Sequence, residues 1–106
     1  MGKSKTDFFN EKQNRLASYS KALSHPARIA ITIYLIENGN CSCGEIVRVM
    51  PLAQPTISQH IKELKSAGLI VGIGRGKGNV YKVNLKTFAK FEKQMKNLFK
   101  KIKKIR

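Results

Sequence analysis

At 106 residues with 42% apolar content, the chain has room for one modest core and is too apolar for a disordered basic tail. Its 21 Lys and Arg against 6 Asp and Glu give a net charge of +15, which favours polyanionic partners, nucleic acid first and an anionic lipid surface second. No apolar run approaches a membrane span, the N-terminus lacks the apolar block of a signal peptide, and two cysteines make no disulfide framework, so the expectation is a soluble cytoplasmic protein.

Residues 1–6 are polar and expected to fray. From Asp7 to Leu23, the apolar residues Phe8, Phe9, Leu16, Tyr19 and Leu23 fit a helix. Two adjacent phenylalanines near a terminus call for cover by a second subunit or by another helix. Ser24-His25-Pro26 reads as a cap and first turn, with His25 a structural residue of that turn. The helix that follows carries Ile29, Ile33 and Ile36 on one stripe and Ala30 with Tyr34 on a second, so it is expected to be buried on much of its circumference. Arg28 either meets DNA phosphate or covers the helix face. Asn38-Gly39-Asn40 ends the element.

Residues 43–68 have the pattern of a helix-turn-helix. Ser42 and Glu45 stand at capping-box spacing, and Ile46, Val47, Val49 and Met50 supply the buried side of a short first helix that Pro51 closes. Pro55 suits the first turn of the second helix, and Gly68 suits the left-handed residue after its end. Ile57, Ile61 and Leu64 recur at steps of three and four on one face. The other face carries Ser58, Gln59, Lys62, Lys65 and Ser66, chemistry that belongs on base edges and phosphates in a major groove or, more plainly, in water. The candidate DNA-binding residues of this helix are Gln54, Thr56, Ser58, Gln59, His60, Lys62 and Lys65, with His60 either packing or donating to a phosphate.

Two short strands, Leu69–Ile73 and Val80–Val83, flank the glycine-rich 74–79, which holds Arg75 and Lys77. A hairpin directly after such a helix reads as a wing over residues 70–84, with glycines allowing close approach and two cations for phosphates. A phosphate-cradling nucleotide loop is excluded, because those loops join a strand to a helix. Residues 86–106 form a last helix in which Phe88, Phe91, Met95, Leu98, Ile102 and Ile105 repeat at steps of three and four. That seam is longer than a small domain can cover, so dimerisation is expected through the first and last helices, with Phe8, Phe9, Leu16, Phe88, Phe91, Met95, Leu98 and Ile102 at the interface. The lysines on the other faces of the last helix either meet phosphate or keep it soluble. The expected architecture is one mainly α domain over 1–106, ordered α-α-α-α-β-β-α, a winged helix-turn-helix.

Three blocks in order, 22–28 (ALSHPAR), 54–61 (QPTISQHI) and 64–70 (LKSAGLI), carry a resemblance to the ArsR/SmtB family of bacterial winged-helix repressors over roughly residues 15–85. The resemblance implies a homodimer on a partly palindromic duplex operator, released in many members by an inducer, often a metal or metalloid ion. One sensor site of the family uses a Cys-x-Cys pair at the start of the first helix of the helix-turn-helix, where this sequence has Cys41 and Cys43. Thiolates at that position are soft ligands suited to As(III), Cd(II), Zn(II) or Cu(I). The arsenite-responsive version has a third cysteine where this chain has Ile46, so such an ion needs a ligand from elsewhere. As a disulfide the pair closes a small strained ring, which disfavours a simple redox switch. Either the pair senses an ion or it packs. The family's zinc site on the terminal helix is excluded, since that helix has no Asp and no His.

An enzyme is not expected, because Asp7, Glu11, Glu37, Glu45, Glu63 and Glu92 are scattered without an acid–base pair, and His25 and His60 lack a nucleophile partner. The expected function is sequence-specific repression from duplex DNA. The alternatives are a winged-helix binder without ion sensing, constitutive or run by a protein partner, and more remotely a basic RNA-binding protein.

Overall fold

In the computed structural model, which describes residues 8–74 and 79–105, the elements run α1 (Glu11–Ala22), α2 (Pro26–Asn38), β1 (Cys41–Ser42), α3 (Cys43–Val49), α4 (Gln54–Ser66), β2 (Ile70–Ile73), β3 (Val80–Val83) and α5 (Leu85–Lys103). The winged helix-turn-helix expected from the sequence is present, with one strand more than expected.

Each helix begins where a side chain satisfies a free backbone donor or a proline removes one. Asn10 caps α1 reciprocally with Gln13: its Oδ1 accepts from Gln13 N at 2.8 Å while its own N–H donates to Gln13 Oε1 at 3.1 Å. That box starts α1 four residues later than the apolar pattern suggests, leaving Phe8 and Phe9 outside the helix and exposed. His25 caps α2, with Pro26 at its first position. Ser42 and Glu45 form the capping box of α3, at 3.2 Å in both directions. Asn84 caps α5 through Thr87 N–H at 3.3 Å.

The inward face of α2 differs from the expectation. Ile31, Thr32 and Leu35 enter the core, while Ile29, Ile33 and Ile36 are 45%, 48% and 64% exposed. The helix is apolar on nearly every side, so its periodicity could not single out the buried stripe. Thr32 is tolerated inside because its hydroxyl donates to the Arg28 carbonyl at 2.9 Å.

Helix α4 ends in a complete Schellman motif. Gly68 takes the left-handed conformation at φ +81, its N–H reaches Lys65 O at 2.9 Å, and Leu69 N–H reaches back to Leu64 O at 3.0 Å. Leu64 and Leu69, the apolar pair of that motif, are both fully buried. The chain then enters β2 already pointed along the core. β2 and β3 pair antiparallel from Ile70 opposite Val83 to Ile73 opposite Val80, and Asn84 N–H closes the base on Leu69 O at 2.9 Å. β1 lies on the other edge of β3, giving the order β1-β3-β2. Ile31, Leu35, Ile46, Ile57, Ile61, Leu64, Leu69 and Ile70 form the core between the helices and this sheet.

α5 has no buried residue. It attaches through half-buried Phe88 and Phe91, the latter with its ring 5.3 Å from that of Tyr19 on α1. Beyond them Leu98, Phe99, Ile102 and Ile105 are exposed.

Candidate nucleic-acid interface

α3 and α4 are joined by the short turn 50–53, and α4 is two-sided. Ile57, His60, Ile61 and Leu64 face inward at steps of three, one and three. Gln54, Thr56, Gln59, Lys62 and Lys65 are exposed and Ser58 is half-buried, so the structure brings these sequence candidates together on the outward side. Ala53 precedes the helix without a side-chain cap. Ser58 Oγ lies 3.5 Å from Cys43 Sγ, a contact between the two helices that spacing in the sequence does not reveal. Gln59 Nε2 donates to Glu63 Oε1 at 3.1 Å, which orients the amide along the helix. Lys65 leans toward the wing, its Nζ 3.7 Å from where a side chain at Gly72 would begin. Arg75 and Lys77, the wing cations of the sequence reading, lie outside the described residues.

Of the two roles open to His60, the structure shows packing, which removes it from the DNA-facing set. It is 7% exposed, and its Nδ1 accepts from Arg28 Nε at 3.2 Å. The position falls on the inward stripe of α4, and burial holds the ring together with the bond from α2. Arg28 also sends Nη1 toward Lys21 O and Ala22 O, each 3.4 Å away, at the end of α1. His25 accepts from Ala27 N–H through Nδ1 at 3.0 Å, and its ring sits 4.4 Å from that of His60. Burial, then His25 and Arg28, push the His60 pKa below its ordinary value. Sequence reasoning had noted all three residues singly and missed that they meet. Their only shared signal is that His25 and Arg28 flank the start of one helix while His60 occupies a core step of another.

The two cysteines have different surroundings. Cys41 is buried, its Sγ 3.4 Å from Gly39 O, and burial followed by the charge of Glu45 pushes its thiol pKa up. Cys43 is half-buried against Ser58. No group of three or more His, Cys, Asp and Glu side chains able to hold a metal exists among the described residues.

Of the expected interface residues, Phe8, Phe9, Leu98 and Ile102 are exposed, and Leu16, Phe88, Phe91 and Met95 are half-buried. Phe88, Phe91, Met95 and Phe99 line an open apolar hollow of about 320 Å³. No helix among the described residues is long and apolar enough to cross a membrane.

A helix-turn-helix domain family matches residues 23–73. The chain is 40% identical over 63 residues to the HTH-type transcriptional repressor SmtB of Mycobacterium tuberculosis, 59% of this chain and 46% of that protein, so it spans about half that relative's length. An HTH-type transcriptional regulator of Methanocaldococcus jannaschii is 37% identical over 71 residues, covering 67% of this chain and 80% of the relative. In fold, the chain is similar to an ArsR-like transcriptional regulator from Rhodococcus sp. RHA1, with a TM-score of 0.80 at 20% identity over 90% of this chain and 89% of that one. It is also similar to the homodimeric winged helix-turn-helix DNA-binding domain of a possible ArsR-family regulator from Mycobacterium bovis, with a TM-score of 0.69 at 22% identity over 87% and 83% of the two chains.

Proposed function

We propose that the chain, which belongs to the helix-turn-helix transcriptional regulators, is a member of their ArsR/SmtB family that binds a partly palindromic duplex operator as a homodimer and represses transcription. The observation that carries this reading is the division of α4. One face is sealed into the core by Ile57, Ile61 and Leu64, while Ser58, Gln59 and Lys62 stand outward beside its N-terminal turns. A helix so anchored offers amide and hydroxyl groups to base edges without having to order them on binding.

Two subunits related by a twofold axis set their α4 helices in successive major grooves, about 34 Å apart. Lys62, Lys65, Arg75 and Lys77 supply phosphate attraction, so affinity falls steeply with added salt, because releasing the counterions condensed on DNA gains less free energy in a saltier solution. The exposed apolar seam of α5 and the phenylalanines 8 and 9 support the dimer, since a lone chain leaves them in water. Repression is named for the SmtB relative and the homodimer for the Mycobacterium bovis domain; both are carried here as part of the proposal.

Cys41 and Cys43 are the candidate soft-ion pair. One thiol is buried and shifted toward its neutral form, and no third donor joins the pair among the described residues. These facts favour a regulator whose DNA binding is not governed by an ion at this pair. Titration of reduced protein with As(III), Cd(II), Zn(II) and Cu(I) should give no thiolate-to-metal absorption; a saturable band lost in Cys41→Ser and Cys43→Ser reinstates the ion.

The DNA reading is tested by selecting duplexes from a random library. Enrichment of paired half-sites with centres about 10–10.5 bp apart supports it. Binding indifferent to sequence, and equal on single-stranded RNA, overturns it.

A further inference from the structure

We propose that Arg28, His25 and His60 form a proton-sensitive lock that seats the recognition helix, so that acidification releases specific DNA. Arg28 is the positioning residue of that lock, and the inference rests on α4 being the DNA-reading helix.

One guanidinium joins three helices. Its Nε holds His60 on the inward face of α4, and its Nη1 reaches the Lys21 and Ala22 carbonyls that end α1, while its own backbone belongs to α2. His60 lies next to Gln59 and two residues from both Ser58 and Lys62, so a shift of its ring carries the outward groups with it.

The hydrogen bonds assign the protons. His60 Nδ1 accepts from Arg28, so its ring is neutral with its proton on Nε2. A second proton can enter only at Nδ1, where it turns an acceptor into a donor. At His60 it faces the Arg28 N–H inside a site almost closed to water. Among the described residues the charged and titratable groups that act on His60 are His25 and Arg28 from the α2 side, and the α1 carbonyls of Lys21 and Ala22 accept from Arg28. On α4 itself Glu63, one turn on, accepts from Gln59 on the outer side. Burial, the His25 ring and the Arg28 guanidinium thus oppose charge on His60, and protonation breaks the bond between α2 and α4.

The sign of the effect separates the lock from simple electrostatics. A histidine that donates to phosphate, or a protein that merely becomes more basic, binds DNA more tightly in acid. The lock requires the reverse, and only for specific DNA.

The experiment uses the full chain and a duplex taken from the selection, with fluorescence anisotropy at constant ionic strength from about pH 7.5 to about pH 5.5. Specific affinity should fall about tenfold or more while affinity for random duplex holds or rises. His60→Gln keeps an acceptor for Arg28 without a titrating ring and should flatten the profile. Arg28→Ala should show the weak acid-like affinity already at the upper pH, and Arg28→Lys should recover part of it. Affinity that holds or rises in acid on both duplexes overturns the lock, as does a His60→Gln profile like that of the parent. Nitrogen NMR of the rings in the free protein keeps the lock testable on its own. A protonated Nδ1 on His60 near neutral pH overturns it even if DNA reading stands. Absence of sequence preference at the upper pH instead overturns the DNA reading, and with it the release.

Discussion

Cys43 Sγ and Ser58 Oγ stand 3.5 Å apart, so the first residue of α3 touches the outward half of α4. Cys41, two residues earlier, is turned into the core with its thiol held toward the neutral form. Thiolates, not thiols, react with alkylating agents. Iodoacetamide on the native protein should therefore label Cys43 well ahead of Cys41, as read by peptide mass spectrometry over time. Equal rates at the two sites contradict the burial described for Cys41.

Gln59 is exposed and its amide is oriented by Glu63. A well-placed amide on a base edge is worth about 1–3 kcal/mol of discrimination. Gln59→Ala should lower affinity for the selected duplex by roughly tenfold or more while leaving random duplex within about twofold. An equal loss on both shows that Gln59 does not read bases.

Leu98 and Ile102 are 42% and 43% exposed in the single chain, so charges placed there leave its own core intact. Leu98→Glu with Ile102→Glu should turn a dimer into a monomer in sedimentation velocity, with an unchanged helical circular dichroism spectrum. A double variant that sediments as a dimer moves the interface away from the α5 seam.

The depressed pKa of His60 also links stability to pH. A histidine whose folded pKa lies below its unfolded value of about 6.5 is protonated more readily in the unfolded chain. Its contribution is therefore present above about pH 6.5 and is lost as the pH falls toward the folded value. The melting temperature should drop across that window in the parent and drop less in His60→Gln. Parallel curves for the two proteins sever this link.

Gly68→Ala tests the exit from α4. The new methyl meets Thr87 Oγ1 at an ordinary 3.6 Å, so the cost comes from the φ of +81. A non-glycine residue in that conformation costs about 1–2 kcal/mol. Urea unfolding should show that loss with an unchanged slope; no loss means that the turn relaxes out of the left-handed region.

Much of the chain was legible beforehand where local chemistry and core periodicity agree. Ser42 with Glu45, Pro55 and Gly68 mark the borders of α3 and α4, and Ile57, Ile61 and Leu64 mark the buried side. Legibility failed where several faces were equally apolar, as on α2, and where a polar residue sat at a core step, as with His60. It failed also at Asn10, whose bond to Gln13 outweighs the pull of Phe8 and Phe9 on the helix start. β1 was missed because two residues carry no periodicity; only pairing with β3 makes them a strand.

That short strand changes how the molecule meets a duplex. Because β3 lies between β2 and β1, the strand returning from the wing is bonded to the two residues that lead into α3. Through the described residues the wing strands and the helix pair thus share one mount. Such a body behaves as a stiff caliper whose jaws keep a fixed opening angle. In the proposed complex the adjustment of fit then falls largely to the DNA, so sequences that bend or twist easily should be favoured even at base pairs that no side chain touches.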